Sequence, residues 1–120
     1  MLVLSAATAA TTSVTTASGK DLTIAGAGQT SITGKVTGGG AVTKSGAGTL
    51  TLAGSNDYAG NTTIDASGGM ISVTGTLGAN SSPASYAGQI SIGSSGTFAY
   101  ASTSNQTLTG KITGAGAVNK

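Results

Sequence analysis

The 120-residue chain holds 21 glycines, 19 alanines, 16 serines and 21 threonines, and its five lysines against three aspartates leave a net charge of +2. It contains no histidine, cysteine, arginine, glutamate or tryptophan. Most general bases, thiol nucleophiles, soft metal ligands and bidentate anion clamps are thereby excluded, so no enzyme is expected and no catalytic, cofactor-binding or metal residue is assigned.

Residues 1–10, MLVLSAATAA, resemble the tail of a secretory signal, with Ala7-Thr8-Ala9 imitating a small-residue cleavage site. A positive leading region is missing, because the first lysine is Lys20. Residues 1–20 are therefore read as a poorly ordered or capping N-terminal segment, and 21–120 as one repeat region. No run approaches the roughly 18 apolar residues that a membrane helix needs, so no membrane insertion by this segment is expected.

Helix is disfavoured along the whole chain, since glycine, serine and threonine are poor helix formers and no apolar stripe recurs at helical spacing. Short alternating strands take its place: Leu22 and Ile24 flank Thr23, Leu50 and Leu52 flank Thr51, Ile71 and Val73 flank Ser72, Ile90 and Ile92 flank Ser91, Phe98 and Tyr100 flank Ala99. Between them lie turn signals such as Gly26-Ala27-Gly28, Gly38-Gly39-Gly40, Gly46-Ala47-Gly48, Ser67-Gly68-Gly69 and Gly93-Ser94-Ser95-Gly96. Apolar teeth at Leu22, Ile32, Val42, Leu52, Ile64 and Val73 recur about every ten residues, a spacing that suits a sandwich or a solenoid.

An internal repeat favours the solenoid. ITGKVTGGGAVTK at 32–44 returns as LTGKITGAGAVNK at 108–120. Glycines at frequent corners fit coils stacked along an axis, and a coil of about 20 residues would give five or six turns. The second copy stops at Lys120 where the first runs on into SGAGTLTLAG, which reads as a fragment of a longer repeat protein.

Residues 40–66, GAVTKSGAGTLTLAGSNDYAGNTTIDA, carry Lys44, Gly46, Gly48, the strand Thr49-Leu50-Thr51-Leu52, Gly54, Asn56, Tyr58, Gly60, Thr62-Thr63 and Ile64 in that order. This ordered pattern resembles the passenger-associated repeat of bacterial autotransporters. Residues 108–120 resemble the start of a second unit, whereas Ser67-Gly68-Gly69-Met70 departs from the shorter corner usual in the family. The resemblance implies an all-β, right-handed parallel β-helix (β-solenoid) fragment. It also implies a non-enzymatic stalk at the bacterial cell surface, on the extracellular side of the outer membrane, or secreted. Such a segment supports transport and folding of the passenger and adhesion. Neighbouring coils of the parent chain are the partners implied, with a host surface or glycan beyond them.

Within the repeat, the pleat points Leu50, Leu52 and Ile64 inward and Thr49, Thr51 and Asp65 outward. Lys44 and Asp65 read as solvated charges that discourage edge pairing. Asn56 and Asn61 read as corner residues that hydrogen-bond, stack between coils or take the left-handed backbone, and Tyr58 as the cover of an apolar corner.

Other motifs dissolve on inspection. Gly28 to Lys35 lacks the spacing and following hydroxyl of a phosphate loop, and Gly26-Ala27-Gly28 opens no helix. Asp21, Asp57 and Asp65 are too few for a calcium site, and no partner is evident to tune a glycosidase pair. Scattered lysines with four aromatics and no arginine give no nucleic-acid footprint. The triplets at Asn61, Asn80 and Asn105 follow from a composition rich in serine and threonine. Pro83, within a loop at about 78–88, marks a protrusion suited to contacting a partner.

Two competing classes remain on sequence alone. One is a free-standing secreted β-solenoid binding module for glycan or ice, suggested by Thr49-Leu50-Thr51 and Thr107-Leu108-Thr109 but weakened by the irregular outward residues elsewhere. The other is a polysaccharide lyase or hydrolase on the same fold, disfavoured by the missing arginine and histidine.

Overall fold

The structure is a computed structural model that describes residues 20–78 and 84–120 and, within 1–19, the backbone of three strands. Strands are numbered in chain order. The first sheet stacks β1 (Leu2–Ser5), β4 (Leu22–Ala25), β7 (Val42–Lys44), β10 (Thr62–Ile64), β14 (Ile90–Ile92) and β17 (Ile112–Gly114). The second stacks β2 (Thr8–Thr11), β5 (Gln29–Ile32), β8 (Thr49–Leu52), β11 (Met70–Val73), β15 (Thr97–Tyr100) and β18 (Ala117–Asn119). A third face is broken into three pairs: β3 (Val14–Thr15) with β6 (Val36–Thr37), β9 (Ser55–Asn56) with β12 (Thr76–Leu77), and β13 (Ala84–Tyr86) with β16 (Gln106–Leu108).

Every pairing is parallel, and each strand pairs with the strand one coil away. This is a β-solenoid, and among the described residues there is no α-helix. Parallel strands cannot be joined by a two-residue hairpin, so each coil must travel around the other faces before it meets its own neighbour. The ten-residue step of apolar teeth is that journey at half distance. Leu22, Val42 and Ile64 belong to the first sheet, while Ile32, Leu52 and Val73 belong to the second.

Alternation along each strand builds the core. Inward ladders run Leu22, Val42, Thr62, Ile90 and Ile112 in the first sheet, and Ile32, Leu52, Val73 and Tyr100 in the second. Leu50 and Leu52 are fully buried and Ile64 nearly so, as the pleat requires, while Thr49, Thr51 and Asp65 face outward, half-buried. Aliphatic residues, three tyrosines and Phe98 fill a single cluster that continues from coil to coil.

Corners turn on glycine where backbones of successive coils nearly touch. Gly46 has φ +82°, in the left-handed region, and a Cβ on Gly48 would fall 1.9 Å from the Gly28 carbonyl oxygen. The motifs Gly26-Ala27-Gly28 and Gly46-Ala47-Gly48 are therefore one corner seen on two adjacent coils.

The thirteen-residue internal repeat does not occupy equivalent places. Ile32 ends a second-sheet strand and Val36 lies on the third face, whereas Leu108 lies on the third face and Ile112 on the first. Val42 is in the first sheet and Val118 in the second. The coils are not of constant length: register partners are Val42 and Thr62 in one coil but Thr62 and Ile90 in the next. The extra residues enter between Leu77 and Ala84. The protrusion expected around Pro83 lies outside the described residues, which omit 79–83.

Candidate functional site

The repeat segment concentrates the buried polar groups of the molecule, which is the opposite of what its charges and amides suggest in isolation. Lys44 is not a solvated charge. It is 1 % exposed and stands in an inward ladder between Ile24 and Ile64. Its pleat phase decides this, because Val42 two residues earlier already points inward. The ammonium is stabilised by donating to the carbonyl oxygens of Ser45 at 2.7 Å, Gly46 at 3.0 Å and Gly26 at 3.4 Å. The lysine thereby satisfies the carbonyls of two stacked corners. Burial lowers its pKa from the ordinary lysine value, and the Asp65 carboxylate partly opposes that.

Asp65 itself faces outward at the same corner. It accepts hydrogen bonds from the Ser45 hydroxyl at 2.6 Å and the Ser67 amide at 2.9 Å, and these hold its carboxyl below the usual carboxylate value. Neither Lys44 nor Asp65 guards a sheet edge, since both lie in interior rungs.

Asn56 joins three coils. Its Oδ1 accepts from the Val36 amide at 2.8 Å, and its Nδ2 donates to Thr76 at 3.1 Å in the following coil and to Gly54 at 2.9 Å. Asn61 accepts from the Gln89 amide one coil on. The expected bonding between coils is present, but the left-handed role is not: among the described residues only glycines have positive φ.

Tyr58 is an interior residue rather than a cover. It is 2 % exposed, packs edge-on against Tyr86 with ring centroids 5.5 Å apart, and shares the Thr62 hydroxyl with it, at 2.6 Å from Tyr58 and 2.8 Å from Tyr86. Tyr86 also donates to the Gly60 carbonyl at 2.6 Å. Burial pushes the Tyr58 phenol well above its ordinary value, reinforced by Tyr86, and raises Tyr86 as well.

Two members of this network escape a reading by residue type. Thr62, fully buried, takes a ladder place otherwise held by Leu22, Val42 and Ile90, and counting back two from Ile64 would have found it. Gln106 exchanges hydrogen bonds with Leu77 on both its amide and carbonyl and also reaches Ala84, so it closes the third face where the coil is longest. No local sequence signal marks it.

The remaining candidates do not converge. Asp57 is paired with Lys35 at 3.4 Å and Asp21 with the Ala41 amide, while Asp65 belongs to the Ser45 corner. Among the described residues, no three histidine, cysteine, aspartate or glutamate side chains gather to hold a metal.

Lys44, Asn56, Tyr58 and Thr62 lie within one stretch of the chain, while Tyr86 and Gln106 lie beyond it. Residues 42–70 match the family model of the passenger-associated-transport-repeat. That stretch, about a quarter of the chain, is similar to this repeat. No curated protein and no solved structure gives a significant match. The matched segment spans one complete coil, from β7 in the first sheet through β8 and β9 back to the first sheet at β10, and reaches the first residue of β11. Its lysine, asparagine, tyrosine and threonine are the residues that tie each rung to those beside it.

Proposed function

We propose that the chain is a non-enzymatic structural segment of a bacterial cell-surface autotransporter passenger. It is a β-helical stalk that supports secretion and folding, serves adhesion, and is displayed outside the outer membrane or released. The observation that carries this reading is the direction of the repeat's polar side chains. Lys44, Asn56 and Thr62 point into the coil and bind successive rungs, so the repeat's chemistry is spent on stacking. The absence of histidine, arginine, glutamate and cysteine from the sequence supports a role without catalysis.

A further coil of the parent chain is the partner we assign to the last rung. Ile112 and Val118 hold inward ladder positions yet are 42 % and 53 % exposed. An open cavity of about 380 Å³ lies beside Val118, lined also by Phe98, Tyr100 and Leu108. Another coil laid there would pair β16, β17 and β18 and bury both side chains.

The test is an epitope inserted between the exposed Ser94 and Ser95 of the full protein in its own host. Protease added to intact cells removes the epitope if the segment is displayed. Recovery of intact epitope until the cells are lysed would overturn display, and unchanged cell adherence after deletion of the segment would overturn adhesion.

One observation favours the second reading, a free-standing secreted binding module. Thr23, Thr43, Thr63, Ser91 and Thr113 form an outward hydroxyl column with one member on each successive coil. The neighbouring outward columns include Met70 and Ala99, which breaks the two-dimensional regularity that an ice lattice demands. Thermal hysteresis in solutions of the chain would promote that reading.

A further inference from the structure

Successive coils meet with a direction, and that direction decides what the last rung can accept. At the corner glycines Gly40, Gly60 and Gly110, a Cβ would overlap the backbone of Lys20, Gly40 and Gly88, each one coil earlier, at the carbonyl oxygen. Gly54, Gly75 and Gly116 stand in the same relation to Gly34, Gly54 and Gly93. None of these six glycines has a positive φ. What requires glycine there is the close approach of two backbones, since alanine tolerates negative φ.

The requirement is one-sided. Lys20 lies beneath Gly40 and Ala66 beneath Gly93, and both carry side chains of their own. A corner residue directs its Cβ back towards the coil before it and its carbonyl on towards the coil after it. The later coil of each pair therefore has to supply the glycine, whereas the earlier coil is free in its residue.

The last rung is the forward end of this series. Ile112 and Val118 hold inward places there and are half-exposed. Asn119 pairs with Ala99, so Lys120 follows in the register of Tyr100, and its ammonium stands 5.3 Å from the centre of that ring. On the reading that this rung seats a further coil, on which the inference rests, we propose that the seat is selective. It takes a parallel coil of the parent chain that brings glycine over both Gly110 and Gly116 and aliphatic side chains over Ile112 and Val118. A coil with a Cβ over either corner meets a forward-facing carbonyl and is held outside the ladder spacing of about 4.8 Å.

The experiment uses the register itself. Residues 101–120 are appended a second time after Lys120, which sets the copies of Ile112 and Val118 over the originals. A second version carries Gly110→Ala and Gly116→Ala in the copy alone. A third carries Thr107→Ala and Thr113→Ala in the copy, at exposed places. Amide hydrogen exchange is compared with that of the parent chain at equal concentration. The plain copy and the threonine-substituted copy should slow exchange of the original residues 112–114 and 117–119 by about tenfold or more, and the glycine-substituted copy should leave them at the parent rate. Equal protection by the plain and glycine-substituted copies would overturn the glycine requirement and leave the further-coil reading standing. Loss of protection in the threonine-substituted copy would overturn the requirement too, because the loss would then not depend on those corners. No protection from any copy would overturn the further-coil reading and the selectivity together.

Discussion

Lys44 and Ile64 are register partners on adjacent rungs, facing the same core. An ammonium thus occupies a place where the coils on either side carry a branched aliphatic chain, Ile24 below and Ile64 above. The arrangement stands because three corner carbonyls accept from the amine, and it sets the first prediction. Lys44→Ala removes both the packed methylenes and the donor, and should destabilise by about 2–5 kcal/mol. Lys44→Met keeps the volume and forgoes only the donor, so its cost should be clearly smaller, consistent with apolar replacement of buried charges being nearly neutral in other proteins. Equilibrium urea unfolding of both variants decides, and equal losses would show that the carbonyl contacts dominate over packing.

Asn56 should be less replaceable than any aliphatic residue near it. Asn56→Ala leaves the buried Val36 amide and two carbonyls without their partner, and each such orphan costs about 1–3 kcal/mol. A loss of about 3–4 kcal/mol is expected, at the low end of what three such orphans sum to. Asn56→Asp restores the acceptor but repels the carbonyls of Gly54 and Thr76, so it should be no better than alanine near neutral pH. Thermal melts at neutral pH would check the order, and a well-folded aspartate variant would contradict it.

The pH response follows from the two directions of shift. Asp65 has a folded pKa below 3.8, so the stability it contributes is complete above that value and is lost as pH falls through the lower folded value. Asp65→Asn should flatten the acid limb of a stability profile. At the alkaline end Tyr58 and Tyr86 are raised above 10.0, so the folded state holds protons that the unfolded chain releases, and stability falls once pH exceeds about 10. Lys44 works in the reverse sense, since its lowered pKa makes the folded state release its proton earlier and gain stability as pH rises towards 10.5. Tyr58→Phe should therefore expose an alkaline gain that the parent conceals, readable as urea midpoints between pH 8 and 11.

The last rung should behave differently from the rest. Amides of β17 and β18 should exchange with solvent far faster than those of β8 and β11, because one edge is unpaired and its inward side chains are wet. Isolated chains should also associate through this end, and Ile112→Thr with Val118→Thr should reduce association in sedimentation velocity runs. A monodisperse chain with uniform protection would refute both expectations.

Much of this architecture is legible before any coordinates are considered. Period-two alternation at Leu50 and Leu52 gives the direction of every side chain in that strand, and Leu52→Asp should abolish folding in a circular dichroism melt because the site is fully buried. Lys44 is misread, and Thr62 overlooked, only when residue type is weighed above phase. Each lies two residues from a clear inward tooth, and a strand has no way to turn one side chain back without a bulge. Gln106 is different. It bridges Leu77 and Ala84 across the lengthened coil, and a change of coil length alters which distant residues meet without leaving a mark on the residues themselves.

The duplicated thirteen-residue phrase sits on different faces in its two copies, Val36 on the third and its counterpart Ile112 on the first. Such a phrase encodes strand, corner and strand but carries no address. A gene that stutters by an arbitrary number of codons can thus be absorbed by rotation around the axis, because the corners reset the pleat between strands: Ile32 to Leu52 is an even step and Leu52 to Val73 an odd one, yet all three point inward. Length variation among descendants of such a sequence is then taken up at the corners, by odd and even steps alike.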